Sequence, residues 1–275
     1  MLGLIGTGIQ TSRTPPMHEK EAAEQGLACL YQMIDLDVLH LPASALPELI
    51  TAAERMGFAG LNITHPCKQS VLPLLDELSD DGRALGAVNT VLLKNGKRMG
   101  HNTDWWGFAE NFRRNMSGAN LDHVVQLGAG GAGAATAYAA LQLGAKQLTI
   151  FDPDASRAAK LAEAEFGAGR ICVGEDLAAA LERASGLIHA TPTGMLHEPG
   201  MALDVTLLKP RHWVAEIVYL PLETELLRAA KRIGCRTLDG GGMAVYQAVQ
   251  AFHLFTGLQP DAERMRRHFL SLGLA

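Results

Sequence analysis

The chain has 275 residues, 48% of them hydrophobic and 5% aromatic, with a formal net charge of −5. That length suits one large or two ordinary domains, and the Gly- and Ala-rich, aromatic-poor composition suits an α/β enzyme. The acidic balance and the lack of a basic stripe argue against nucleic-acid binding, and no apolar run reaches membrane-spanning length. Cys29, Cys67, Cys172 and Cys235 form no CxxC pair and no Cys/His cluster at zinc spacing, so free thiols and no metal are expected. Met1 to Ile9 has no basic start and contains glycines, unlike a signal peptide, so the expected location is the cytoplasm.

In chain order, Leu2 to Ile5 reads as a buried strand, followed by a hydroxyl-rich loop, Gly6 to His18. Pro15-Pro16 starts a helix running to about Gln25. Leu30 to Ile34 is a second strand. Leu46 to Met56 is an amphipathic helix with Leu46, Leu49, Ile50, Ala53 and Met56 on one face. Phe58 to Ile63 is a third strand that breaks at His65-Pro66, where Pro66 suits the first turn of a short helix. Val71 to Leu85 reads as helical with a break near Ser79. Ala87–Leu93 and Arg98–His101 form a hairpin about Asn95-Gly96. This order closes a first α/β domain, residues 1–103.

Asp104 to Asn115 reads as a linking helix. A second series of strands and helices follows: strand His123–Leu127, helix Ala132–Gly144, strand Gln147–Phe151, helix Ser156–Phe166, strand Arg170–Val173 and helix Asp176–Ala184. It ends with strands Gly186–Ala190 and Trp213–Ile217, helix Thr224–Ile233 and strand Arg236–Leu238. Such alternation means a parallel sheet covered on both faces, here a Rossmann domain over residues 104–242. Met243 to Phe255 is apolar on most sides, as expected of a helix packed between domains, so residues 243–275 are expected to return to the first domain.

Two stretches carry chemistry. Gly128, Gly130 and Gly133 form Gly-x-Gly-x-x-Gly after an apolar strand and at the start of a helix, the context that dinucleotide binding requires. The glycines permit a tight turn, close approach to a pyrophosphate and helix–strand contact, and the helix N-terminus attracts the phosphates. Asp152 ends the next strand roughly 20 residues on, where a carboxylate binds the ribose diol. It repels a 2′-phosphate, so NAD is expected over NADP. Arg157 could soften that preference, but also fits the exposed face of its helix. The second stretch is Gly60 to Lys68. On position alone Lys68 reads as a solvated helix residue. Asp104, at the domain junction, offers it a partner, and a Lys–Asp pair suits alcohol oxidation, with neutral lysine taking the hydroxyl proton. Asp104 alone would read as a helix cap. Cys67 reads as a partly buried bystander, His18 as structural, and Trp105 and Trp106 as hinge packing. Met17, Met195 and Met243 read either as nicotinamide-side residues or as core.

Together these motifs resemble the shikimate/quinate dehydrogenase family over nearly the whole chain. The resemblance lies in Ser12-Arg-Thr-Pro-Pro-Met-His-Glu19, Asn62 to Lys68, Gly86-Ala-Val-Asn-Thr90 and Gly100-His-Asn-Thr-Asp104. It continues in Ala190-Thr-Pro-Thr-Gly-Met195, Val218 to Thr224, Gly242 to Gln247 and Ala251 to Gly257. It implies Lys68 and Asp104 as the proton-transfer pair. It implies Ser12, Thr14 and Tyr219 on the substrate carboxylate, and Thr64, Asn89 and Gln247 on ring hydroxyls. It implies Gly128, Ala129, Gly130, Gly131, Ala132, Gly133, Asp152 and Arg157 on the dinucleotide. Thr191, Pro192, Met195, Val218, Gly240 and Met243 would lie at its nicotinamide end. The implied reaction is NAD-dependent interconversion of shikimate, or quinate, and its 3-dehydro form, in a monomer or homodimer of the aromatic-amino-acid pathway.

The sequence departs from the biosynthetic pattern at Phe151-Asp-Pro-Asp, where Asn-Arg-Thr is usual. His189 stands where Asn is common, Glu216 where Asp is, Thr14 where Ser is and Glu19 where Asn is. Asp152, with Ser12-x-Thr14 and Met17-His-Glu19, resembles the NAD-using quinate/shikimate branch, or related aminoshikimate-type homologues, more than the housekeeping enzyme. A dehydrogenase of aminoshikimate or another cyclic polyol acid, and a non-catalytic ligand-binding regulator, are the rival readings.

Overall fold

The computed structural model describes residues 1–167 and 169–273. They fall into two compact units, Met1–Thr103 with Gln247–Gly273, and Asp104–Tyr246.

The first unit runs β1 (Leu2–Gly6), α1 (Thr14–Glu24), β2 (Tyr31–Asp35), α2 (Leu46–Arg55), β3 (Gly60–Ile63) and α3 (Cys67–Ser70). It continues with β4 (Glu77–Leu78), α4 (Asp80–Leu85), β5 (Thr90–Lys94) and β6 (Lys97–His101). The sheet order is β2-β1-β3-β5-β6-β4. β1 is parallel to both β2 and β3, with Ile5 in register with Ile34 and Ile63. The strand order therefore turns about β1, and the loops after β1 and β3 leave neighbouring strand ends, the usual place for a ligand in such a sheet. The buried core joins Ile5, Leu61, Ile63, Cys67 and Val91 to Ile50 and Ala53 of α2.

The expected β5–β6 hairpin is present, and Asn95 and Gly96 at its tip have φ of 55° and 71°, as a two-residue turn of this hand requires. Of the helical stretch expected over Val71–Leu85 with a break near Ser79, the part after the break is present as α4, capped by Ser79, and the part before it is not α-helical. A 3-10 turn at Leu72–Leu74 and strand β4 precede α4. Pro73 cannot donate in a helix interior, and the Asp76 and Ser79 amides instead donate to Arg98 and Gly100 carbonyls at 2.9 Å. Edge pairing with β6 thus replaces helix bonds. Met56, expected on the buried face of α2, is exposed, because the helix stops at Arg55 and the chain turns at Gly57 with φ 79°.

The second unit opens with α5 (Thr103–Asn115), then β7 (His123–Leu127), α6 (Gly131–Gln142), β8 (Gln147–Phe151), α7 (Ala155–Ala162), β9 (Ile171–Val173) and α8 (Leu177–Arg183). β10 (Gly186–His189), β11 (Trp213–Glu216), α9 (Glu225–Ile233) and β12 (Arg236–Leu238) complete it. All six strands are parallel, in the order β12-β11-β10-β7-β8-β9. This is the doubly wound dinucleotide-binding order, with the switch point between β7 and β10. Alternate strand residues enter two cores. Val124, Ile188 and Ala215 face one with Phe108 and Leu141, and Val125, Leu187 and Val214 face the other with Leu181 and Leu227. α10 (Gly240–Thr256) starts in this unit, and from Gln247 on it belongs to the first. α11 (Ala262–Ser271), capped by Asp261, ends the described chain. No helix among the described residues is long and apolar enough to cross a membrane.

Candidate active site

In the first unit, Ser12 and Thr14 stand at the start of α1. Ser12 Oγ accepts from the Thr14 amide at 3.3 Å. The loop before them is pinned by the buried Asp35 carboxylate, which accepts from the Ile9 amide at 3.1 Å and Gln10 Nε2 at 2.9 Å. Between them, buried Arg13 donates to the Phe269 carbonyl at 3.3 Å and to the Gly273 carbonyl, and its guanidinium lies 4.9 Å from the Phe269 ring centroid. The C-terminal segment thus braces the hydroxyl loop. Across from it, the Thr64 amide donates to the Ile5 carbonyl at 2.9 Å, and the Cys67 amide to the Thr64 carbonyl at 2.8 Å. Lys68 follows in α3, half-buried, and its carbonyl accepts from the Val88 amide at 2.9 Å. Cys67 is buried, and burial pushes its thiol pKa up, which suits packing rather than reactivity.

Asn89 sits just before β5, buried at the middle of a polar network. The Thr103 amide donates to its Oδ1 at 2.7 Å. That bond fixes which end of the amide is oxygen. Its Nδ2 then donates to Thr103 Oγ1 at 3.0 Å and to Gln247 Oε1 at 3.2 Å. Asn62 extends the network, donating to the Asn89 carbonyl at 3.1 Å and Thr90 Oγ1 at 3.0 Å. Tyr31 closes it. Burial pushes its phenol well up, so the hydroxyl stays protonated and donates to Asn62 Oδ1 at 2.5 Å. The structure thereby brings Asn89 and Gln247 together, although they are 158 positions apart in sequence.

Asp104 lies in the first turn of α5 and is buried, at 7% exposure. It opens the second unit, whereas Lys68 belongs to the first. Tyr219 is half-buried in the second unit. Trp105 packs edge-on against Tyr138 at 5.2 Å, a core contact of the second unit. Met17 and Met243 are core residues, Met195 is half-buried in a loop, and His65 is exposed.

The glycine loop lies between β7 and α6. The Gly128 amide donates to the Phe151 carbonyl at 2.8 Å, and its φ is 99°. A Cβ on Gly133 would fall 2.3 Å from the Gly128 carbonyl oxygen, so only glycine lets the helix approach the turn. At Gly130 and Gly131, by contrast, a Cβ would meet nothing within 4 Å, and Gly130 is the N-cap of α6. That open side exposes the first-turn amides of α6, as a phosphate cradle must. Asp152 closes the arrangement. Its Oδ2 accepts from the Ala129 amide at 2.7 Å and its Oδ1 from the Asp154 amide at 2.9 Å. Arg157 is exposed and pairs with Asp154 at 3.3 Å. Loop 191–198 is closed by its own backbone, with the Gly194 amide donating to the Glu198 carbonyl at 2.6 Å and the Met195 amide to the Pro192 carbonyl at 3.1 Å. Pro192 is exposed on it.

Several supports were not expected from the sequence. Buried Gln126 donates through Nε2 to the Gly128 and Gly133 carbonyls, both at 2.8 Å, and accepts from Thr136 Oγ1 at 3.0 Å. A polar residue inside the apolar run Val124-Val-Gln-Leu127 was the available signal. Thr103 and Arg13 left no signal beyond their place inside motifs. No group of three or more His, Cys, Asp or Glu among the described residues could hold a metal.

Comparison with known proteins agrees with this geometry. Residues 4–91 match the family described as the shikimate dehydrogenase substrate binding domain, and residues 240–268 the shikimate 5′-dehydrogenase C-terminal domain. A shikimate dehydrogenase (NADP(+)) of Pseudarthrobacter chlorophenolicus is 53% identical over 99% of this chain and 94% of its own length. The chain belongs to the shikimate dehydrogenase family. A second member, the quinate/shikimate dehydrogenase (NAD(+)) of Corynebacterium efficiens, is 51% identical over 99% of this chain and 98% of its own. Quinate dehydrogenase from Corynebacterium glutamicum, solved in complex with NAD, superposes with a TM-score of 0.93 at 49% identity, covering 98% of both chains. Family membership makes the chain an oxidoreductase of the shikimate/quinate dehydrogenase type, and its relatives divide between the two nicotinamide cofactors.

Proposed function

We propose that the chain is an NAD-preferring dehydrogenase that interconverts shikimate or quinate with the 3-dehydro acid, using Lys68 and Asp104 as the proton-transfer pair. The observation that carries the cofactor choice is the Asp152 carboxylate, held against the glycine loop by the Ala129 amide at 2.7 Å. A carboxylate fixed there accepts from the ribose 2′- and 3′-hydroxyls and repels a 2′-phosphate. The open face at Gly130 and Gly131 and the first turn of α6 fit the pyrophosphate. NAD held by these residues would supply the hydride acceptor for the substrate's C3 carbon.

The chain's own residues supply the rest. Lys68 takes the C3 hydroxyl proton as the carbon–oxygen double bond forms, and Asp104 holds the lysine oriented for it. In the reverse direction Lys68 returns the proton to the new alkoxide. Ser12 and Thr14 hydroxyls bind the acid's carboxylate, with Tyr219. Asn89 and Gln247 bind ring hydroxyls, with Thr64. Because Gln247 Oε1 accepts from Asn89 Nδ2, the Gln247 amide presents its N–H donors, which suits hydroxyl oxygens as acceptors. The substrate domain is residues 1–103 with the C-terminal segment, and the dinucleotide domain is residues 104–242.

The test is Lys68→Ala and Asp104→Asn, assayed for turnover and, separately, for NAD binding. The expected result is a loss of kcat of about a thousandfold for Lys68→Ala with NAD affinity kept. Near-normal turnover in Lys68→Ala contradicts the assignment.

A further inference from the structure

We propose that His189 and Glu216 are positioning residues for the dinucleotide, acting through the Thr191 hydroxyl and the Val218 backbone. The inference rests on the second unit being the dinucleotide-binding one. His189 and Glu216 end β10 and β11 and are register partners on these adjacent strands. Each is 1% exposed. Glu216 accepts from His189 Nδ1 at 2.8 and 2.9 Å on its two oxygens. Its Oε1 also accepts from the Ile217 and Val218 amides at 2.9 and 3.1 Å, and its Oε2 from Thr224 Oγ1 at 3.1 Å. With Nδ1–H spent on the carboxylate, the other ring nitrogen, Nε2, lies 2.6 Å from Thr191 Oγ1. Thr191 Oγ1 in turn accepts from the Thr193 amide at 3.3 Å.

The two loops held in this way are the ones that meet the glycine turn and the start of α10. A Cβ on Gly128 would lie 2.3 Å from the Ala190 carbonyl oxygen and 3.1 Å from Thr191 Cγ2. A Cβ on Gly240 would lie 2.3 Å from the Ile217 carbonyl oxygen and 2.5 Å from that of Val218. Each loop therefore lies so close to the glycine opposite it that no side chain fits between them. The pair lies at the ends of β10 and β11, and β10 borders the switch point of the sheet between β7 and β10, where a ligand of this fold binds. A buried carboxylate–imidazole pair gives no stability that well-packed apolar residues could not match. Its use here is geometric. One carboxylate aligns two consecutive amides after β11 and, through the imidazole, one hydroxyl after β10.

Full-length Glu216→Gln and Thr191→Val, singly and together, test this by direct titration with NAD and NADP and by separate KM values for dinucleotide and acid. Glu216→Gln keeps the shape but not the charge, and Thr191→Val keeps the volume but not the hydroxyl. Each is expected to weaken dinucleotide binding about ten- to a hundredfold while the KM for the acid changes less than about twofold. The double variant is expected to lose little more than Glu216→Gln alone, because both act on one path. If Glu216→Gln does not fold, Thr191→Val decides alone by the same split. Dinucleotide affinity within twofold of the wild type, or equal losses for acid and dinucleotide, overturns the inference only. A wild-type protein that binds neither dinucleotide overturns the proposed function and this inference with it.

Discussion

At the scale of single residues, His18 gives the clearest dependence on pH. It is fully buried against the rings of Tyr31, Phe252 and Phe255, at 5.1, 5.8 and 5.9 Å. Neither ring nitrogen has a hydrogen-bond partner among the described residues. Burial lowers its pKa from 6.5 to about 3. Above pH 6.5 the group is neutral in both folded and unfolded chains and contributes nothing. Below it the unfolded chain takes up a proton that the folded chain refuses, so stability falls as pH drops, by about 1.4 kcal/mol per unit. Between pH 7 and pH 5 the expected loss from this residue is about 2 kcal/mol. Urea unfolding at the two values should show that loss in the wild type, and His18→Leu should remove it. An unchanged slope in the variant contradicts this account of His18. Its structural role was legible in the sequence, where it follows Pro15, Pro16 and Met17. Its isolation was not, because the rings around it come from β2 and from α10, over 200 positions on. Long sequence separation also hid the pairing of Asn89 with Gln247 and of Arg13 with the C-terminal segment. His189 and Glu216 were each visible as departures from the family pattern, but only strand register shows that the two departures meet.

At the scale of elements, α6 and its glycine turn separate two kinds of glycine. Gly133→Ala would put a Cβ 2.3 Å from the Gly128 carbonyl, and the loop must move or the helix tilt. A cost of about 1–3 kcal/mol is expected, with loss of dinucleotide affinity. Gly131→Ala meets open space at the first helical turn and should leave thermal stability unchanged or slightly raised. Thermal unfolding of the two variants, with and without NAD, checks the contrast. α11 offers a second case. Glu21, on α1, accepts from Arg264 Nε at 2.8 Å and Nη2 at 2.7 Å, from Gln25 Nε2 at 2.7 Å and from the Asp261 amide at 2.9 Å. Burial works to raise its carboxyl pKa, but these hydrogen bonds outweigh it and hold the group below its usual range. Arg264→Ala strands a buried carboxylate and should cost about 3 kcal/mol in denaturant unfolding. Because α11 also carries Phe269, whose carbonyl and ring hold Arg13, that variant should raise the KM for the acid as well. The strand and helix alternation of both units was legible, because its signal is local periodicity. The stretch Leu72–Leu78 was not, since Pro73 and pairing with β6 decide it. α11 carried too weak a pattern, with only Met265 and Phe269 buried in ten residues.

At the scale of the whole molecule, the account joins an acid-binding unit to a dinucleotide-binding unit, and its central claim is NAD-dependent oxidation of a cyclic polyol acid. Relatives of about equal identity carry either cofactor in their names, so likeness alone does not choose between them. The proposed preference for NAD rests on Asp152 and its bond to the Ala129 amide. The measurement that tests this most directly is kcat/KM for shikimate, quinate and aminoshikimate, each with NAD and with NADP, for the wild type and Asp152→Ala. The account predicts turnover of shikimate or quinate, an NAD preference of at least about tenfold, and loss of that preference in Asp152→Ala, as expected for removal of charge-assisted hydrogen bonds. Preference for NADP in the wild type, or no hydride transfer from either acid, would contradict it.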